Sequence, residues 1–180
     1  MNNKYNKGEI MAIKYIQELD ENDSKKRHAI IDLEDLHLDK RNPRFSSSTI
    51  IGNKREVKET EIIEYLLQFG NVAQLADSIN DNFGLYDEEW ISCYINDKQE
   101  IVVLEGNRRV AACKILKEPD LVPEEFRYEI HIPCLKEKTL PNICKIKAVV
   151  YKNEVDAQSY IAAKHTKPEI KKWETIEQCN

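Results

Sequence analysis

Ile101-Val102-Val103-Leu104-Glu105-Gly106-Asn107-Arg108-Arg109-Val110-Ala111-Ala112-Cys113-Lys114-Ile115-Leu116 reads as a buried strand, a turn on one glycine and a helix with two arginines in its first turn. Strand and helix thus follow each other directly in this run. It also gathers what an anion needs: amides without intrahelical partners, the positive end of the helix dipole, and guanidinium forks. Gly106 lets the backbone approach a ligand closely or take a positive φ. Asn107 reads as the N-cap of the helix, accepting from the amides that follow. The run is therefore a candidate phosphate or nucleotide cradle. The plainer alternative is an ordinary capped helix whose arginine pair is solvated surface. The G-x-x-x-x-G-K-[ST] loop and the G-x-G-x-x-G fingerprint are both missing from the run, so it supports neither of those nucleotide-binding classes.

Upstream of this run, Ile91 to Ile95 and Glu100 to Leu104 read as paired strands around Asn96-Asp97-Lys98-Gln99. Glu59 to Phe69 has helical spacing at Ile62, Ile63, Leu66 and Leu67, with Gly70 as its stop. A second helix starts at Asn71 and carries Val72, Leu75, Ala76 and Ile79, with Gly84 in the loop that follows. Ala29 to Leu33 and Leu36 to Asp39 read as a strand and a turn, and Ser46 to Lys58 as a polar connection. Ile10, Ile13, Ile16 and Leu19 predict a helix over residues 8–20, joined by the polar stretch Asp20 to Lys26. Downstream, Pro119 and Pro123 break the chain, Glu124 to Phe126 allows a helical turn, and Ile132 to Pro141 reads as loop. Lys145 to Tyr151 alternates as a strand, Glu154 to Lys164 reads as a helix, and Pro168 opens a last helix. The sequence ends within that helix pattern, which suggests a piece of a longer protein. The expected organisation is an N-terminal helix and linker over 1–26, a main α/β (α+β) domain over 27–165, and the start of a C-terminal helical region over 166–180.

The 180 residues are 41% hydrophobic and 33% charged, enough for one domain with a real core. No apolar run approaches the roughly 20 residues of a membrane span, and the N-terminus leads into no signal core, so a cytoplasmic protein without a membrane partner is expected. The five cysteines lack a C-x-x-C pair, which argues against a disulfide framework or structural zinc. His131 and Cys134 have ligand spacing, but two ligands do not make a metal site. Cys113 reads as core on the apolar face of its helix. The net charge of −5 is unevenly distributed, with basic clusters at Lys25-Lys26-Arg27, at Lys40, Arg41 and Arg44, and at Lys164, Lys167, Lys171 and Lys172. Such separation permits one positive face on an acidic protein.

Three stretches, in order, resemble the motifs of the ParB/sulfiredoxin superfamily, specifically its ParB-like N-terminal (nuclease-type) domain. Leu36 to Phe45 is similar to the family's opening strand and "NPR" turn, with Asn42-Pro43-Arg44 as the turn. Leu75-Ala76-Asp77-Ser78-Ile79 with Gly84 resembles the "LAxSIxxxG" helix, and Glu105 to Ala112 the "GERRxRA" box. The resemblance covers about residues 29–165. It implies a compact α/β (α+β) domain with a small mixed sheet flanked by helices, here with extra N- and C-terminal helices. It also implies binding of a nucleotide, CTP or another NTP such as ATP, together with Mg2+. Carried over by position, Gly106, Asn107, Arg108 and Arg109 would contact the triphosphate, Arg44 would face the same pocket, and Ser78 and Gly84 would lie near the base or ribose.

The chain departs from the family in three places. Asn107 stands where the box has Glu, and no proline follows Gly84 in Leu85-Tyr86-Asp87-Glu88-Glu89-Trp90. The family's "ENxxR" segment, which supplies a magnesium ligand, falls near Ala163 to Lys167 and has no Glu-Asn pair here. Lys164, His165 and Thr166 would instead hold phosphate oxygens directly. Sulfiredoxin's reactive cysteine falls at Asn107, so its chemistry has no nucleophile in this chain.

Three functional readings follow. The first is a nucleotide-binding module, with or without NTP hydrolysis, within a larger DNA-associated protein such as a partition or phage-defence component. Its partners would be a nucleotide, DNA through the full-length protein, and a second copy in a homodimer. The second is a metal-dependent DNA endonuclease, for which Glu105 is the only acid well placed as a catalytic group; Glu59 and Glu61 read as solvent-facing. The third is a catalytically inactive scaffold binding DNA or protein, with Trp173, Lys171 and Lys172 as a docking surface or simply as packing.

Overall fold

The computed structural model describes residues 14–15, 25–42 and 57–166. Its frame is a six-stranded mixed sheet of Lys14–Tyr15 (β1), Lys26–Asp32 (β2), Leu36–Leu38 (β3), Ile91–Ile95 (β4), Ile101–Glu105 (β5) and Lys145–Tyr151 (β6), in the order β1-β2-β6-β4-β5-β3. β1 with β2, β2 with β6 and β4 with β5 are antiparallel; β4 with β6 and β3 with β5 are parallel. The helices are Glu59–Phe69 (α1), Val72–Asp81 (α2), Asn107–Lys117 (α3), Glu124–Arg127 (α4), Leu140–Cys144 (α5) and Glu154–Thr166 (α6). The expected α/β class and small mixed sheet are present.

One face of the sheet builds the main core. Alternation places Ala29 and Ile31 of β2, Leu36 and Leu38 of β3, Val103 of β5, and Ile146, Ala148 and Val150 of β6 in it. Against them lies α3, whose Val110, Ala111, Ala112, Cys113, Ile115 and Leu116 are all buried. A helix apolar nearly all round belongs between layers, and α1 and α2 pack outside it. Lys114 stays within this helical layer because Glu59 of α1 meets its ammonium at 2.7 Å; Glu59 is an inter-helix partner, contrary to the solvent-facing expectation. Glu61 turns back on the backbone N–H of Lys58 at 2.9 Å and closes the start of α1. The other sheet face carries a smaller cluster of Tyr94, Val102 and Tyr151, covered by Ala157 of α6.

Three segments differ from the sequence expectations. Lys14–Tyr15, inside the expected N-terminal helix, is an edge strand with Lys14 opposite Ile30 and Tyr15 opposite Ala29. The three-residue spacing of isoleucines fits a helix, but the open edge of β2 offers backbone partners to an extended segment instead. Lys26, placed in the linker, is the first residue of β2 and pairs with Tyr151. Helix α5 also begins inside the stretch read as loop, at Leu140. The expected helix beyond Pro168 lies outside the described residues.

The loop between α4 and α5 is tied down by one buried side chain. Asn80 donates through Nδ2 to Cys134 O at 2.9 Å and accepts from the Lys136 N–H at 3.0 Å. Its own carbonyl accepts from the fully buried Thr139 hydroxyl at 3.2 Å. No helix among the described residues is long and apolar enough to cross a membrane.

Candidate functional site

The turn from β5 into α3 is set by Gly106. Its φ of 101° is left-handed, and a Cβ there would stand 2.5 Å from Ile91 Cδ1. Gly106 itself is the N-cap of α3, which corrects the sequence assignment of that role to Asn107. Asn107 is the first helical residue and is buried. Its Oδ1 accepts from the Asp39 N–H at 2.9 Å, and its Nδ2 donates to Val103 O at 3.1 Å and to Leu104 O at 3.5 Å. The side chain thus ties the end of β3 to the turn and is turned inward, away from solvent.

Asp39 continues this seam. Its carboxylate accepts from the Arg41 N–H at 2.9 Å, and burial holds its pKa above the usual carboxylate range. The Arg41 guanidinium reaches Tyr94 Oη at 2.5 Å and Glu154 Oε2 at 2.6 Å, joining the end of β3 to β4 and α6.

The two arginines of the first turn divide. Arg108 is exposed. Arg109 is drawn in, with its side chain 16% exposed, 3.8 Å from Glu105 Oε1 and 4.0 Å from Glu89 Oε2. Both distances exceed those of a close bidentate pair, so the fork keeps donors for another anion. Arg109 lines a cleft of about 430 Å3 on the sheet face opposite the main core. Lys26 of β2, Ser92 of β4, and Val149 and Tyr151 of β6 form its floor; Glu88, Glu89, Trp90 and Tyr160 form its sides. Trp90 sits edge-on to His28, centroids 5.0 Å apart, and Tyr151 stacks on Tyr160 at 6.2 Å. Sequence showed Lys26 only as part of a basic cluster and gave no sign that these aromatic and cationic residues meet, because they come from β2, β6, α6 and the residue before β4. The pairing of Lys26 with Tyr151 would have required knowing that β2 begins three residues before its apolar run.

Ser78 and Gly84 do not line the Arg109 cleft. Gly84 is packed beneath Asn142, where a Cβ would come 3.0 Å from Asn142 Cβ. Ser78 is exposed and accepts from Asn82 Nδ2 at 3.3 Å. A second cleft of about 460 Å3 is lined by Asn82, Phe83, Tyr86, Asn142, Lys145 and Lys147 among others; Glu89 lines both clefts. Lys164, His165 and Thr166 lie in the last turn of α6, with their side chains outside the described residues. Arg44 and Pro43, like Lys167, Lys171, Lys172 and Trp173, also lie outside them. Glu105 is at the end of β5, beside Arg109. Among the described residues, no three His, Cys, Asp or Glu side chains cluster as metal ligands do. Cys93 and Cys113 are buried; burial raises both thiols, that of Cys113 to about 12.

In comparisons with known proteins, no protein-family model, no curated protein and no solved structure matches this chain.

Proposed function

We propose that this domain is a nucleotide-binding module of the ParB-like kind, serving a larger DNA-associated protein. The observation that carries the reading is Arg109: a first-turn guanidinium, mostly buried and loosely paired, in a cleft that also holds Lys26, Trp90, Tyr151 and Tyr160. Phosphates are met by the N-terminal amides of α3, the helix dipole and Arg109 together. Aromatic rings supply the faces on which a base stacks. The cleft volume lies within the range of small-molecule sites. Glu88 and Glu89 bring carboxylates to the same cleft, in the number that a magnesium–nucleotide complex takes from protein, its remaining ligands being phosphate oxygens and water. The order of β3, α2 and the β5–α3 turn, each carrying one motif of the resemblance, supports the ParB-like assignment.

Thermal unfolding with CTP, ATP, GTP and UTP, each with Mg2+, tests this directly. A triphosphate at 100 times its Kd stabilises the fold by about 2.7 kcal/mol. Arg109→Ala is expected to abolish that stabilisation while leaving the unliganded melting temperature within a few degrees of the wild type. Absence of a shift with all four triphosphates would sink the proposal.

A further inference from the structure

We infer that the loop after α2 forms a second, independent binding surface, a platform for single-stranded nucleic acid centred on Phe83. Helix α2 ends in a Schellman arrangement: the Phe83 N–H donates to Asn80 O at 3.4 Å and the Gly84 N–H to Ile79 O at 2.8 Å. The residue in the left-handed position of this motif is ordinarily glycine, and here it is Phe83, with φ 59°. The fold gains little core from that choice, because the side chain is 43% exposed. A bulky aromatic in a strained conformation, held out at the surface, marks a functional position.

Its surroundings say what it would bind. The Lys136 and Lys138 ammonium groups lie 5.5 and 5.7 Å from the Phe83 ring centroid. Tyr86, 57% exposed, is the next aromatic of the loop, and its hydroxyl accepts from Asn82 Nδ2 at 2.9 Å. Lys145 and Lys147, on one face of β6, line the adjoining cleft. Two exposed rings among four lysines combine base stacking with phosphate neutralisation, the composition that single strands require and duplexes do not. Three of the lysines are ion-paired, Lys136 with Asp81, Lys145 with Asp32 and Lys147 with Asp87. The Asp81 and Asp87 carboxylates are solvent-exposed and that of Asp32 is half-buried, so phosphate exchanges readily for the first two. The platform is also held in place: Asn142 Nδ2 donates to Phe83 O at 2.7 Å.

Fluorescence anisotropy of the full chain with labelled oligo-dT, and with a duplex of the same length, tests the assignment. Oligo-dT is expected to bind more tightly than the duplex. Phe83→Gly is expected to weaken oligo-dT binding roughly tenfold or more, as loss of one stacking ring does, with the melting temperature unchanged or raised. Phe83→Tyr is expected to keep binding, and Lys138→Glu with Lys147→Glu to weaken it and flatten its salt dependence. Four results would each overturn the proposal: no oligo-dT binding, equal binding by Phe83→Gly, a lowered melting temperature in Phe83→Gly, or displacement of oligo-dT by polyglutamate at equal charge. Arg109→Ala separates the two sites. It is expected to lose triphosphate binding and keep oligo-dT; loss of oligo-dT would place the strand in the other cleft and also overturn the proposal.

Discussion

Gly106 and Phe83 both occupy left-handed backbone, at φ 101° and 59°, and each stands at the end of a helix. At the start of α3 the residue is glycine because Ile91 leaves no room for a Cβ. At the end of α2 glycine would serve, yet a phenylalanine is held there at a cost of about 1–2 kcal/mol. The first position is dictated by packing. The second is not, and a strained residue that packing does not require directs attention to what its side chain does outside the fold.

The largest loss of stability is expected at the first position. Gly106→Ala adds left-handed strain and an overpacked contact with Ile91, and is expected to cost about 2–4 kcal/mol in chemical denaturation. Asn107→Ala leaves the Asp39 N–H and two strand carbonyls of the same seam without their partner, an expected loss of about 2–3 kcal/mol in the same measurement. Phe83→Gly has the opposite sign: relief of left-handed strain is partly offset by glycine's greater backbone entropy, for an expected gain of about 0.5–1 kcal/mol. If Phe83→Gly destabilises as Gly106→Ala does, the two positions are alike and the contrast fails.

The smallest effect sharpens the Asn107 seam by pH. Burial raises the Asp39 pKa in the folded state, so the folded protein keeps a proton there that the unfolded chain releases. Stability from this group is full below the unfolded value of about 3.9 and is lost as pH rises through the folded pKa. Asp39→Asn keeps an oxygen for the Arg41 N–H and removes the ionisation. Its melting temperature is expected to exceed that of the wild type near pH 7, with the difference vanishing as pH falls toward 4. A constant difference across that range would remove ionisation of Asp39 as its cause.

Most helices and strands were legible because they depend on local periodicity. Glu59–Phe69 and Lys145–Tyr151 match their expected bounds, and the Asn96-to-Gln99 connection joins β4 to β5 as a hairpin. Residues whose role depends on a distant neighbour were misread. Asn107 has the composition of a cap, and only the arrival of β3 beside the turn makes it an inward tie. Lys14 and Tyr15 fall within an isoleucine spacing that predicts a helix, and the exposed edge of β2 makes them strand. At the candidate site the β5–Gly106–α3 turn was visible, whereas the meeting of Lys26, Trp90, Tyr151 and Tyr160 was not, since β2, the residue before β4, β6 and α6 deliver them.

Spacing along one chain is enough for the strand-turn-helix at Ile101 to Leu116 and for an arginine pair at a helix start. Which arginine faces a cleft depends on the packed fold. Arg109 and Arg108 are adjacent in sequence and identical in chemistry; the helical turn points one toward Glu89, Glu105 and the sheet and leaves the other in solvent. The packed fold likewise puts Arg109, in the first turn of α3, on one cleft, and Asn82 and Phe83, which follow α2, on the other. Local patterns fix what a segment can be; contacts between segments remote in sequence fix what each side chain meets.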